Sequence, residues 1–222
     1  MNALGFDVSN YEGLLDWEKA YKAGIQFAFI KCTEGINWYA ETFKRNWEMA
    51  SSFDILKGAY HYYRSNQDPI KQAEWFLSHL IPSSEGNDLP CALDLEDMIS
   101  FPPANFANKV RLCLETIEIE TGKRPIIYTN LSFWVSMMKG ATWGDQYPLW
   151  IANPRLNAGP TVPLPWAPCG WRFWQYSWAG DPLKYGVPPG GKKAIDLDCY
   201  NGSIEDLKRW LYGVNNGFIK KG

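Results

Sequence analysis

The segment 91–97, CALDLED, sets two carboxylic acids, Asp94 and Glu96, either side of a leucine at the end of an apolar run. In an extended chain, residues i and i+2 share a face. Both acids therefore point the same way, with Cα atoms about 6.5–7 Å apart, and Leu95 points outward. Two carboxylates this close in a shielded place cannot both ionise freely, so one pKa is pushed up and the other down. The product is a proton donor beside an anion, the pair used in glycoside hydrolysis. Acids at strand ends can also cap a helix, hold a backbone amide or bind a hard metal. The capping or amide-binding role suits Asp97 and Asp198 taken singly.

The surrounding pattern says what positions them. Residues 3–9, 25–35, 56–64, 90–97 and 124–130 read as strands. Between and after them, segments beginning near 16, 40, 68, 106 and 131 have helical spacing. Asp16 and Asp68 are expected N-caps, Pro69 a first helical residue, and Gly24 and Gly122 helix ends. After residue 145 three more strands follow, PLWIANP, WRFWQYS and KAIDLDCY, but 154–170 and 178–193 are rich in Pro and Gly and show no helical period. A last helix follows strand eight. Alternating strands and helices indicate parallel βαβ units. Eight parallel-type strands with only five good interstrand helices suggest one α/β domain, an irregular TIM-like barrel of (β/α)5(β)3 type, shorter than a full barrel. An open doubly wound sheet would favour a phosphate-gripping glycine loop after strand one, and GFDVSNYEG is not one.

In such a barrel the active site lies at the C-terminal rim of the strands. Strand one ends at Asp7, and strand two at Lys31 with Glu34 just beyond. Strand three carries Tyr60 and Tyr62, strand four Asp94 and Glu96. Strands five, six and seven end at Tyr128, Trp150 and Gln175, and strand eight carries Asp196 and Asp198. Strands one and eight are neighbours in a closed barrel, so Asp7 and Asp196 join Asp94 and Glu96. His61 alternates with Tyr60 and Tyr62 and should face the helices, while His79 sits in a helix. Neither has an evident Ser or Cys partner, which argues against a triad hydrolase.

Bulk composition narrows the classes. A net charge of −2 over 222 residues argues against a nucleic-acid binder. No run approaches the roughly 20 apolar residues that span a membrane, and the opening residues lack signal-peptide features. The five cysteines are odd in number, widely spaced and without CxxC, so reduced thiols are expected, with one disulfide conceivable and zinc improbable. No metal and no cofactor are expected. The 12 Trp, 12 Tyr and 11 Phe must be mostly core, yet flat rings also suit sugar faces.

Taken in order, GFDVSNYEG, FIKCTEG, GAYHYYR, LDLE, TGKRPIIYT, LWIA, WRFWQYS and IDLDCYNGS resemble the glycoside hydrolase family 25 lysozymes, the Chalaropsis-type N-acetylmuramidases. The resemblance covers nearly the whole chain. It implies a barrel of five βα units followed by three strands, and cleavage of the β-1,4 bond between N-acetylmuramic acid and N-acetylglucosamine in bacterial peptidoglycan. It maps the catalytic acid to Glu96 and its partner to Asp94, with Asp7 and Asp196 completing the acid cluster. Tyr62, Tyr128, Trp150 and Gln175, then Tyr60 and Lys31, are candidate sugar contacts. The departures are Cys32, where alanine is common, and Asn153, where an aromatic is frequent. Residues 1–213 are expected to form the catalytic domain, and 214–222 a short tail too small for a wall-binding module. A monomer without membrane insertion is expected. The rivals are a family 18-like chitinase, whose longer acidic pattern is broken here by Leu89, Pro90 and Ala92, and a peptidoglycan-binding protein without catalysis. The resemblance also suggests an endolysin of a phage or prophage, released with holin help, or a mature secreted enzyme.

Overall fold

The computed structural model describes residues 1–83, 86, 88–100, 102–154 and 159–215. The strands are β1 (Leu4–Val8), β2 (Phe27–Glu34), β3 (Trp38–Tyr39), β4 (Leu56–Tyr62), β5 (Ala92–Leu95), β6 (Ile126–Asn130), β7 (Leu149–Ala152), β8 (Phe173–Gly180) and β9 (Ile195–Tyr200). Eight of them close a ring in the order β1-β9-β8-β7-β6-β5-β4-β2, with β2 pairing back onto β1. The two-residue β3, not anticipated from sequence, lies outside the ring as a short arm on β2. The helices are α1 (Trp17–Lys22), α2 (Phe43–Ser52), α3 (Pro69–Leu77), α4 (Phe106–Thr121), α5 (Leu131–Met137) and α6 (Ile204–Asn215). Asp16 and Asp68 cap α1 and α3 by accepting from Lys19 N (3.1 Å) and Lys71 N (2.9 Å). Gly122 closes α4 at φ +67°. His79 lies just past the end of α3, not within it.

One expectation needs correction: the ring is not all parallel. Pairings from β1 through β2, β4, β5, β6, β7 and β8 are parallel, but β9 runs antiparallel to both β8 and β1. The short helix-free link from Gly180 to Ile195 suits this direction, whereas the longer β7–β8 link returns parallel with no α-helix among its described residues. A parallel return needs a crossover, usually helical, whereas an antiparallel one needs only a turn. No α-helix lies between β8 and β9. The reversal puts the start of β9, not its end, at the C-terminal rim of the other strands. The expected tail, 214–222, falls from residue 216 onward outside the described residues.

Alternation along the strands splits the core into two layers. Inside the ring, Phe27, Phe29, Tyr60, Ala92, Ile126, Tyr128, Trp150 and Phe173 pack together. The Phe29 ring stacks on Trp150 at 4.2 Å between centroids, and Phe173 meets both Phe27 and Phe29 edge-on. Outside it, Ala28, Ile30, Leu93, Leu95, Ile127 and Ile151 join the inner faces of the helices. Leu95 thus points into the helix layer as expected. Helix α6 plugs the end of the barrel away from the rim: Leu207, Trp210 and Leu211 belong to the interior layer, and Trp210 lies 6.0 Å from Phe173.

The rings leave little slack. A Cβ at Gly5 would run into the Phe27 ring. Gly5→Ala is expected to destabilise the fold by about 1–3 kcal/mol through overpacking, read as a lower urea midpoint. An unchanged midpoint would mean the interior is looser than its ring packing indicates.

Candidate active site

The register of the ring brings the polar residues to one mouth. Asp94 on β5 lies directly between Tyr62 of β4 and Tyr128 of β6. Tyr128 pairs with Trp150, and Gln175 with Asp198. Asp7 sits opposite Asp196 across the β1–β9 pair and beside Phe29 of β2. Glu96 follows the last residue of β5. All ten residues singled out from sequence, Asp7, Lys31, Tyr60, Tyr62, Asp94, Glu96, Tyr128, Trp150, Gln175 and Asp196, line one cavity of about 200 Å³. Asp196 reaches it because β9 is reversed. Asp198, one layer deeper, is fully buried and accepts a 2.7 Å hydrogen bond from Trp150 Nε1.

Hydrogen bonds fix the mouth from several sides. Gln175 Nε2 donates to Asp7 Oδ2 (2.6 Å), while its Oε1 accepts from Tyr128 Oη (3.0 Å) and Trp178 Nε1 (2.7 Å). The chain after Glu96 is pinned by Asp97, which accepts from Ser65 N (2.9 Å) and Arg64 Nη1 (3.1 Å). Asp97 therefore holds a backbone amide, the role its type allowed. Trp150 is almost wholly buried, with one face on Phe29, so it forms the floor of the cavity rather than an open platform. His61 faces α3 as expected, between Thr33 Oγ1 (2.8 Å) and Gln72 Oε1 (3.4 Å), and burial pushes its pKa down to about 4.

A bulge in β2 supplies the cationic wall. The register with β4 slips between Lys31 and Thr33, so Thr33 pairs with the outward His61 and Glu34 with the inward Tyr62. Strict alternation would send Glu34 the other way; bulges re-aim side chains in this manner. Lys31 Nζ then bonds Glu34 Oε2 at 2.6 Å and lies over the rings of Tyr62 and Trp38. Burial alone would raise the Glu34 pKa, but Lys31 and Arg64 together hold it below its usual value.

Burial dominates the acids. Asp94 is held well above the ordinary carboxylate value by desolvation and then by Glu96, with Lys31 opposing, and its Oδ1 has no hydrogen-bond partner among the described residues. Glu96, only half-buried, is also raised by desolvation; Lys31 opposes, and Asp196 and Asp97 add to the rise. Asp7 is pushed well up by desolvation and by Asp196, against the bond from Gln175. The sequence implied one acid raised and one lowered; instead both members of the pair are raised, because loss of water acts on each.

Four lining residues escaped the sequence reading: Ser9, Tyr11, Glu12 and Lys192. Ser9 and Glu12 form a capping box on the turn after β1, Glu12 Oε2 accepting from Ser9 N (2.6 Å) and Oγ (2.9 Å). Its S-x-x-E spacing was a usable signal. Lys192 bridges Glu12 (3.3 Å) and Asp196 (3.0 Å), tying the β8–β9 loop to that turn, and no periodicity marks it.

The raised acids have a thermodynamic consequence. A group whose folded pKa exceeds its unfolded value of 3.8 favours the fold below that value, and the benefit is lost as pH rises through the folded pKa. Asp94→Asn removes that loss. The variant should therefore unfold at a higher urea concentration than wild type at pH 7, with the gap closing towards pH 3. A variant less stable than wild type at pH 7 would contradict this account of the site.

The chain and its fold are similar to known proteins. The sequence pattern described as Glycosyl hydrolases family 25 matches residues 6–182. Lysozyme M1 of Streptomyces globisporus is 31% identical over an alignment covering 91% of this chain and 69% of that protein. The N,O-diacetylmuramidase of Chalaropsis sp is 30% identical, covering 94% and 99%. In three dimensions, a bacterial lysozyme from Streptomyces coelicolor superposes with a TM-score of 0.84 at 30% identity, covering 97% of this chain and 98% of the other. With its barrel, its acid-lined mouth and these relatives, the chain belongs to glycosyl hydrolases family 25 and is a glycoside hydrolase.

Proposed function

We propose that this enzyme is a lysozyme acting on bacterial peptidoglycan, hydrolysing the β-1,4 bond between N-acetylmuramic acid and N-acetylglucosamine, with Glu96 as general acid and base. One observation carries the assignment. Of the raised acids at the mouth, Glu96 alone lies beyond the end of its strand, and it is half-buried, so it can both hold a proton and meet a substrate. The relatives named for lysozyme and diacetylmuramidase activity support the substrate class.

In the working state the Asp94–Glu96 pair holds one proton, and its two titration steps belong to the pair rather than to either acid. A hydrogen bond from the acetamido N–H of the muramic acid to Asp94 favours the ionised form of that more strongly raised acid and leaves the proton on Glu96, which donates it to the glycosidic oxygen as the bond breaks and then takes one from the attacking water. Asp94, ionised in that state and flanked by two tyrosines, orients the acetamido group of the muramic acid, whose oxygen attacks the anomeric carbon. The carboxyl groups of Asp7 and Asp196 line the same cavity and face the developing oxocarbenium charge. Tyr60, Tyr62, Tyr128, Gln175 and Lys31 surround the sugar, with Trp150 beneath. Every one of these residues comes from a single chain, so a monomer suffices, and 1–213 acts as the catalytic domain. The enzyme acts at the cell wall, which an endolysin reaches with holin help.

The test is loss of turbidity of bacterial walls, with chitin in parallel. Glu96→Gln should reduce wall lysis by about 10²–10⁴-fold with its urea midpoint retained. The wild-type profile should fall on the alkaline side only above the ordinary glutamate pKa, because the raised acid keeps its proton there. Wild type inert on walls, or active on chitin alone, would overturn the muramidase reading. Full activity in Glu96→Gln would overturn the choice of acid.

A further inference from the structure

The catalytic cavity has a neighbour. Between the turn after β1 and the β2–β3 arm lies a second cavity of about 330 Å³, lined by Ser9, Asn10, Tyr11, Lys31, Glu34 and Trp38. Ser9, Tyr11 and Lys31 border both cavities. Its volume falls at the lower end of the roughly 300–1,000 Å³ range of small-molecule sites.

Two features define what it can hold. The first is ring surface left in water: Tyr11 is 75% exposed and Trp38 38% exposed. Large rings are ordinarily core residues, and here two of them flank one hollow beside the acid-lined mouth. The chain builds a separate arm to place Trp38. Its backbone pairs with Glu34, its carbonyl accepts from Trp75 Nε1 at 2.9 Å, and Tyr39 beside it packs onto the core. The arm contributes nothing to ring closure.

The second feature is charge. Lys31 and Glu34 are paired with each other at 2.6 Å, Glu34 is also bonded to Arg64, and Lys31 is sandwiched between Trp38 and Tyr62. The cation is already neutralised, and Glu12 and the acid cluster lie next door. A carboxylate entering here would meet net negative charge. An uncharged ligand with flat apolar faces and polar edges meets rings and satisfied polar groups instead.

We propose that this cavity is a subsite for one uncharged N-acetylhexosamine ring of the glycan, packed against Tyr11 and Trp38, and that it discriminates against a ring bearing a free lactyl carboxylate. The proposal rests on the peptidoglycan reading for its polymer but not for its test. Tri-N-acetylchitotriose serves as the neutral probe, and its binding is followed by ¹⁵N–¹H spectra of the indole groups of wild type, with Trp38 assigned by Trp38→Phe. The Trp38 indole signal should shift saturably in the millimolar range, and Tyr11→Ala should weaken that binding at least about fivefold. N-acetylmuramic acid with its free carboxylate should leave the signal in place. No shift with chitotriose, or an equal shift with the carboxylate sugar, overturns the proposal even if walls are lysed.

Cleavage of peptide-free glycan strands of four and eight sugars gives a second readout. Wild type should gain kcat/KM with length, and Trp38→Ala should lose about tenfold on the longer strand while changing little on the shorter. An undiminished gain with length in Trp38→Ala overturns the subsite. If wild type cleaves neither strand, the lysozyme reading fails and the indole titration alone decides the cavity.

Discussion

Everything at the mouth of this barrel depends on carboxylates being kept from water. The interior below them is filled by rings, with Phe29 stacked on Trp150 and Phe173 edge-on to Phe29. Burying an acid beside other acids is unfavourable, and the fold meets that cost with stiffness. Gln175 braces Asp7, Trp150 braces Asp198, and Asp97 stakes down the chain that carries Glu96. Such support is what keeps a strained cluster in one arrangement instead of several.

The lysines complete the balance in two places. Lys31, on the bulge side, lowers the tendency of both Asp94 and Glu96 to hold protons. Lys192, on the other side of β1, ties Asp196 to Glu12 and thereby joins the β8–β9 loop to the turn after β1. The mouth is thus neither uniformly acidic nor neutral.

Much of this was legible from residue types and order. The alternation of Ala92, Asp94 and Glu96 against Leu93 and Leu95 gave the inward face of β5 correctly, and Asp16, Asp68 and Gly122 marked helix ends. The rest depended on pairing, which a single sequence does not carry. The reversal of β9 has no signature in its own residues, because the alternation of IDLDCY suits either direction. The slip between Lys31 and Thr33 has no residue signature, so Glu34 looked like a loop acid instead of a wall residue. The amphipathic pattern of α6 announced a helix without saying that its apolar face would close the bottom of a barrel. Trp150 illustrates the limit for single residues. The sequence put it at a strand end, whereas it is the second residue of β7, and only neighbouring rings decide whether an indole is floor or platform.

The plug formed by α6 also bears on how the molecule comes into being. Leu207, Trp210 and Leu211 cover the inner rings, and β9 completes the ring by pairing with β1 nearly two hundred residues earlier. Neither closure can occur until the last part of the chain has left the ribosome. During synthesis the growing sheet therefore carries an unpaired β1 edge and a row of bare aromatic side chains. Contacts this distant in sequence also make closure slow. A cell producing this enzyme handles a sticky, catalytically silent open sheet until β9 has paired with β1 and α6 has docked.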